Sequence, residues 1–141
     1  GETSVLKAFA AIDCGRVINP QGLRGQSEGG MVMGMGYALM EDTIIEGGKT
    51  LTPNFSAYII PTSIDAPDMD TVTCEVLEPS GPYGAKGVGE AVMVPIAPAI
   101  TIAIDRAVGA RVTHAPATSE RVYHAMRSRG VGRGVGEGST A

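Results

Sequence analysis

The sequence predicts an α+β fold of mixed strands and three helices, and three patterns carry that reading. Thr71 to Glu78 alternates Val72, Cys74 and Val76 against Thr71, Thr73 and Glu75, the period expected of a half-buried strand. Met31, Met35, Ala38 and Leu39 recur at helical spacing and read as a core stripe. Ala91 to Val108 is a long apolar run with the length of a helix. Strands are expected at residues 4–12 and 71–78, bracketing the first helix, and helices at about 28–42, 89–108 and 118–127.

Taken in order, Ser4 to Ile12 alternates loosely and is β-prone, so a strand is expected. Asp13 to Gly25 is a loop punctuated by Gly15, the Asn19-Pro20 pair and Gly22. Ser27 is the expected cap of a helix running to about Asp42. Gly29, Gly30, Gly34 and Gly36 fall inside it, and each costs about 1 kcal/mol relative to alanine. That cost implies a close neighbour, either another helix or a cofactor or subunit lying against the first turn. Gln26 stands just ahead of that turn, and its amide can both donate and accept hydrogen bonds.

Thr43 to Leu51 reads as two short strands about Gly47-Gly48, and Phe55 to Ile60 as a short extended or helical segment. Pro61, Pro67, Asp65, Asp68 and Asp70 mark a surface loop. Beyond the strand at 71–78 comes Gly81-Pro82-Tyr83-Gly84-Ala85-Lys86-Gly87-Val88-Gly89-Glu90, too rich in glycine for regular structure. Glu90 stands where this loop gives way to the apolar helix. Backbone N–H groups at such a turn can bind an anion or an oxygen-rich cofactor, and glycines let it approach the main chain. The plainer reading is an exposed Glu complementing the helix dipole, worth roughly 0.3–1 kcal/mol. Gly87-Val88-Gly89 is a weak nucleotide signal, without a strand directly ahead of it and without a lysine followed by Ser or Thr. Thr118 or Ser119 caps the last helix. The tail, residues 128–141, carries five glycines and no apolar periodicity and is expected to be disordered.

Composition excludes several classes. The net charge is −4 with no basic face, which argues against nucleic-acid binding. No apolar run reaches membrane-spanning length, since Pro95 and Pro98 interrupt the most apolar stretch. Cys14 and Cys74 lie far apart and outside any metal spacing. They read as small buried hydrophobes in a reducing, cytoplasmic compartment. With no Cys-x-x-Cys, an iron–sulfur cluster has to come from elsewhere. His114, before Ala115-Pro116, and His124, beside basic residues, lack a paired ligand and read as surface groups.

Three blocks of residues carry a family resemblance. Lys86-Gly87-Val88-Gly89-Glu90 resembles the signature of the molybdenum hydroxylases, the xanthine oxidase and aldehyde oxidoreductase family. Asp13-Cys14-Gly15-Arg16-Val17-Ile18-Asn19-Pro20, Gly25-Gln26-Ser27-Glu28-Gly29-Gly30 and Gly34-Met35-Gly36-Tyr37-Ala38-Leu39 are similar to that family's stretch upstream of the glutamate. Asn54-Phe55-Ser56 through Tyr58, Pro61-Thr62 and Asp65-Ala66-Pro67 form the third block. The blocks occur in family order and cover about residues 5–127. Ala91-Val92 departs from the prolines the family commonly has after the glutamate.

The resemblance implies that residues 1–127 are the C-terminal portion of a large molybdopterin-binding subunit. Gly1 to Val5 then reads as the second half of a hairpin whose first strand belongs to the preceding part. The implied reaction hydroxylates an aldehyde or N-heterocyclic, purine-like carbon, with water as the oxygen source. The implied cofactor is a molybdenum–pterin in its cytosine dinucleotide form, with no protein side chain on the metal. Glu90 is the implied catalytic base, and Gly25, Gln26, Lys86, Gly87, Val88 and Gly89 line the pterin. The implied partners are the remainder of the molybdopterin-binding subunit, an iron–sulfur subunit holding [2Fe-2S] clusters and an FAD subunit. Activity would need the whole complex. The alternative is a non-catalytic assembly module that binds partner subunits through its glycine-rich helix and loop. A nucleotide-binding domain unrelated to molybdenum ranks last.

Overall fold

The computed structural model describes residues 1–129. The elements are β1 (Lys7–Asp13), α1 (Pro20–Leu39), β2 (Ile45–Glu46), β3 (Lys49–Thr50), β4 (Asp68–Cys74), a short 3-10 turn (Pro82–Gly84), α2 (Met93–Val108) and α3 (Ser119–Ser128). The expected α+β class and its three helices are therefore present. The tail expected at 128–141 lies, from residue 130 onward, outside the described residues.

β1 and β4 pair in parallel, from Lys7 opposite Asp68 to Asp13 opposite Cys74. Parallel strands need a long connection, and here it contains α1 and the β2–β3 hairpin. In the hairpin, Gly47 and Gly48 both take positive φ, 55° and 77°, the conformation that a two-residue turn of the favoured hand requires. Phe55 to Ile60 is neither strand nor helix. Its start is a turn closed on Asn54, whose carbonyl accepts from the Ala57 and Tyr58 N–H groups.

α1 begins earlier than the expected residue 28. Asn19 is its cap: the side-chain oxygen accepts from the Gly22 N–H at 2.9 Å, and Pro20 occupies the first helical position. Ser27, the expected cap, lies inside the helix at 0% exposure. Its hydroxyl meets Thr71 Oγ1 on β4 at 2.6 Å. Gly25 and Gln26 consequently stand in the helix rather than ahead of it.

The glycines of α1 divide by what surrounds them. A Cβ on Gly30 would meet Val92 at 3.0 Å, and one on Gly34 would meet Ile96 Cβ at 2.5 Å. These two let α1 and α2 pack backbone to side chain, which is the helix-packing explanation. Gly36 similarly accommodates Glu41 and Pro61, whereas Gly29 faces open space. The core lies between the sheet and the helices: Ala10 and Ile12 from β1, Met31, Met35 and Ala38 from α1, Ile96, Ile100 and Ile104 from α2, and Val122 from α3.

α2 starts at Met93 rather than 89. α3 is capped by Thr118, whose hydroxyl accepts from the Arg121 N–H at 3.3 Å. Arg121 also reaches Asp42 at 3.3 Å and so ties α3 to the end of α1.

The strand expected at 71–78 ends at Cys74, and its apolar residues do not form the covered face. Met69 and Thr71 point toward α1 and are half-buried, while Val72 is 48% exposed and Cys74 and Val76 are also exposed. The physical reason is that α1 covers only one side of this sheet. Of the two cysteines, Cys14 is buried as expected and Cys74 is not.

Candidate functional site

The glycine loop is built against the end of β1. After Asp13 the chain turns through Gly15, which has φ +58°, and runs antiparallel to residues 84–86. Arg16 N–H donates to Gly84 O at 3.1 Å, and Lys86 N–H donates to Cys14 O at 2.8 Å. A Cβ on Gly15 would lie 2.2 Å from Gly84 O, so the approach requires glycine. Gly84 O also accepts from the Glu78 N–H at 3.1 Å. Tyr83 adopts φ 57°, uncommon for a residue with a side chain, and its ring is exposed.

Asp13 joins three segments. One carboxylate oxygen accepts from the Gly15 N–H at 3.0 Å and the Val76 N–H at 3.3 Å. The other accepts from Lys86 Nζ at 2.5 Å. The Lys86 ammonium, and after it the Gly15 N–H, hold the Asp13 carboxyl below the usual aspartate range.

The far side of the loop is anchored separately. Val92 is 4% exposed and packs on Gly30 of α1, and Met93 N–H donates to Glu90 O at 3.0 Å. Between the two anchors, Gly87, Gly89, Glu90 and Ala91 are exposed and Val88 is half-buried. Glu90 thus stands on a short exposed span held at both ends. It precedes α2 instead of occupying its first turn, so the simple dipole-complementing position is not the one it takes.

A cleft of about 190 Å³ lies between the α1 N-terminus and this loop, bordered by Arg16, Asn19, Leu23, Gln26, Lys86 and Val88, among others. It brings together Gln26, Lys86 and Val88 from the expected cofactor set. Gly25, Gly87, Gly89 and Glu90 do not border it. A Cβ on Gly25, Gly87 or Gly89 would meet nothing within 4 Å, so this chain's own packing does not account for those glycines.

Asp13 and Arg16 carry no role in the sequence reading. The only hint is a carboxylate at a strand end immediately before a Cys-Gly turn. Among the described residues no cluster of His, Cys, Asp and Glu could hold a metal ion. His114 and His124 are exposed, beside Thr113 and Glu120 respectively.

Residues 1–67 match the molybdopterin cofactor-binding domain family. The chain is 37% identical over 131 residues to a probable xanthine dehydrogenase subunit of Bacillus subtilis (strain 168), covering 93% of this chain and 18% of that protein. It superposes on quinoline 2-oxidoreductase from Pseudomonas putida 86 with a TM-score of 0.83 at 32% identity, covering 89% of this chain and 16% of the other. The aldehyde oxidoreductase of Desulfovibrio desulfuricans ATCC 27774 gives a TM-score of 0.82 at 37% identity, with 89% and 14% coverage. The chain therefore spans less than a fifth of the length of each of these relatives.

Proposed function

We propose that this chain, which belongs to the molybdenum hydroxylase family of molybdopterin-dependent oxidoreductases, supplies part of the pterin site and the catalytic base of such an enzyme. The observation that carries the reading is the meeting of Gln26, Lys86 and Val88 at one cleft, beside glycines that nothing in this chain crowds. A large cofactor against the main chain accounts for that bareness, and side-chain packing does not. When bound, a molybdenum–pterin supplies the two-electron redox centre at which oxygen from water reaches a substrate carbon.

The residues of this chain divide the remaining work. Gln26 can donate from its amide nitrogen and accept at its oxygen, and so can fix the edge of a pterin. The Lys86–Gly89 backbone offers N–H groups without side chains to hold a cofactor away. Glu90 supplies a carboxylate that takes a proton at its Oε atoms from the attacking water-derived group.

The finer reading is that residues 1–127 are the C-terminal portion of a large molybdopterin-binding subunit in a cytoplasmic complex. Its partners are the remainder of that subunit, an iron–sulfur subunit with [2Fe-2S] clusters and an FAD subunit. The pterin is the cytosine dinucleotide, so hydrolysis of the released cofactor yields a cytosine nucleotide. The substrate is an aldehyde or an N-heterocycle, in keeping with the aldehyde oxidoreductase, quinoline oxidoreductase and xanthine dehydrogenase names of its relatives.

The deciding experiment is Glu90→Gln in the assembled enzyme. It keeps the shape and removes the basicity. Turnover per bound molybdenum should fall by ~10²–10⁴-fold or more with cofactor content retained. Near wild-type turnover across pH would reject Glu90 as the base and favour an assembly module. Loss of the cofactor would instead assign Glu90 a structural role.

A further inference from the structure

We infer that Asp13 is a positioning residue for the glycine loop, and that the Lys86 side chain serves Asp13 rather than the cofactor. This rests on the proposed role of the loop as the carrier of Glu90 and the pterin contacts. At the end of β1, the Asp13 carboxylate receives three constraints at one point: the Gly15 turn, the chain after β4 through the Val76 N–H, and Lys86 Nζ of the loop. The Lys86 backbone N–H is tied independently to Cys14 O at 2.8 Å. Lys86 is thus fixed by backbone and side chain to two consecutive residues, four positions ahead of Glu90.

An ordinary surface ion pair contributes little, because water solvates both ends and long side chains lose entropy. This pair differs in geometry. Each side chain is only about a third exposed, at 38% for Asp13 and 30% for Lys86. One carboxylate oxygen is held by two backbone N–H groups, and the other meets Lys86. An acceptor fixed in that way gives Lys86 a single place to dock. Beyond it, residues 87–91 are held by half-buried Val88 against the core and by the Glu90 carbonyl, which accepts from the Met93 N–H, before Val92 packs on Gly30. Removing the Asp13–Lys86 tie therefore leaves the near end of the exposed span to the Lys86 N–H bond with Cys14 O and the packing of Val88. The ammonium neutralises Asp13, so a cofactor at the loop meets the Lys86 peptide group and not a free cation.

The test uses the complete enzyme carrying this chain, with turnover normalised to bound molybdenum. Asp13→Asn keeps an acceptor for the Gly15 and Val76 N–H groups but removes the charge. It should lower kcat by about 10²-fold with KM little changed, the size of effect a ~1 Å misplacement produces. Hydrogen exchange supplies a readout independent of turnover: the Lys86 amide should exchange about tenfold faster in Asp13→Asn. Asp13→Glu keeps the charge and should recover most of both losses. Lys86→Met should resemble Asp13→Asn, and the double variant should be no worse than the worse single one.

Unchanged exchange and kcat in Asp13→Asn would overturn the inference. So would additive losses in the double variant, or an Asp13→Glu protein no better than Asp13→Asn. If Glu90→Gln proved fully active, the base assignment would fall, while the coupling between Asp13 and Lys86 would still be read from amide exchange.

Discussion

Gly15 and Asp13 set the geometry of the site from opposite requirements, one by having no side chain and the other by the charge of its own. Any Cβ at Gly15 would strike Gly84 O, and its φ of +58° disfavours L side chains. Gly15→Ala should therefore cost about 1–3 kcal/mol through strain alone, measured as a lowered denaturation midpoint of the assembled enzyme. Asp13 makes a pH prediction. Its carboxyl lies below the usual aspartate range, first because of the Lys86 hydrogen bond and then the Gly15 N–H, with burial acting in the opposite direction. The unfolded chain then binds more protons than the folded one between the two pKa values, so stability rises with pH there. The contribution is fully present above the ordinary aspartate value of about 3.9 and is lost as pH falls through the depressed folded value. The stability gap between wild type and Asp13→Asn should stay constant near neutral pH and close in strongly acidic buffer. A gap that widened on acidification would show that the carboxylate is not favoured in the folded state.

At the scale of elements, α1 packs on α2 through Gly30 and Gly34, and the sheet rests on α1 through Ser27 and Thr71. The glycines of α1 should respond differently to the same substitution. Gly34→Ala places a methyl 2.5 Å from Ile96 Cβ. It should push α2 away and cost about 1–3 kcal/mol, as overpacking does. Gly29→Ala meets nothing within 4 Å in this chain and should be neutral or stabilising by up to about 1 kcal/mol from helix propensity. Thermal denaturation of the two variants checks the pair. A Gly29→Ala enzyme that lost stability would mean that another part of the enzyme occupies the space beside α1. Sequence periodicity located these elements but not their contacts. The Met31, Met35 and Ala38 stripe is buried as its spacing predicts, yet nothing in a run of glycines tells which of them faces a neighbouring helix.

At the scale of the whole molecule, the fold formed by the described residues is open on one side. The sheet has two parallel strands, and parallel sheets are generally covered on both faces. Here the outer face exposes Phe9 and Val72, and Val76, Leu6 and Ile64 outside the strands are exposed as well. An apolar groove of about 790 Å³ runs between the N-terminal segment, α2 and α3, lined in part by Val5, Ile100, Ala103 and Met126. Patches of this kind mark surfaces that bind other protein. The isolated chain should self-associate or bind hydrophobic dyes. Sedimentation showing one stable monomer would count against the proposal that it completes a larger subunit. Among the described residues, no helix is long and apolar enough to cross a membrane.

What the sequence determined by itself was local or chemical. Alternation gave two long strands, Gly47-Gly48 gave the hairpin, the Thr118-Ser119 pair gave the start of the last helix, and the motif around Lys86 to Glu90 pointed to a family. These signals survive in isolation because they depend on neighbours within a few residues. Tertiary structure decided the rest. The sequence points to Ser27 as the cap and to Asn19-Pro20 as loop, whereas the fold buries Ser27 against Thr71 and puts the cap at Asn19. Alternation gives a strand two faces without saying which is inward, and the position of α1 makes the inner one Met69 and Thr71. The Asp13–Lys86 tie spans 73 positions. No local pattern encodes a pairing at that separation; it exists because the end of β1 and the glycine loop are brought together by the parallel pairing of β1 with β4.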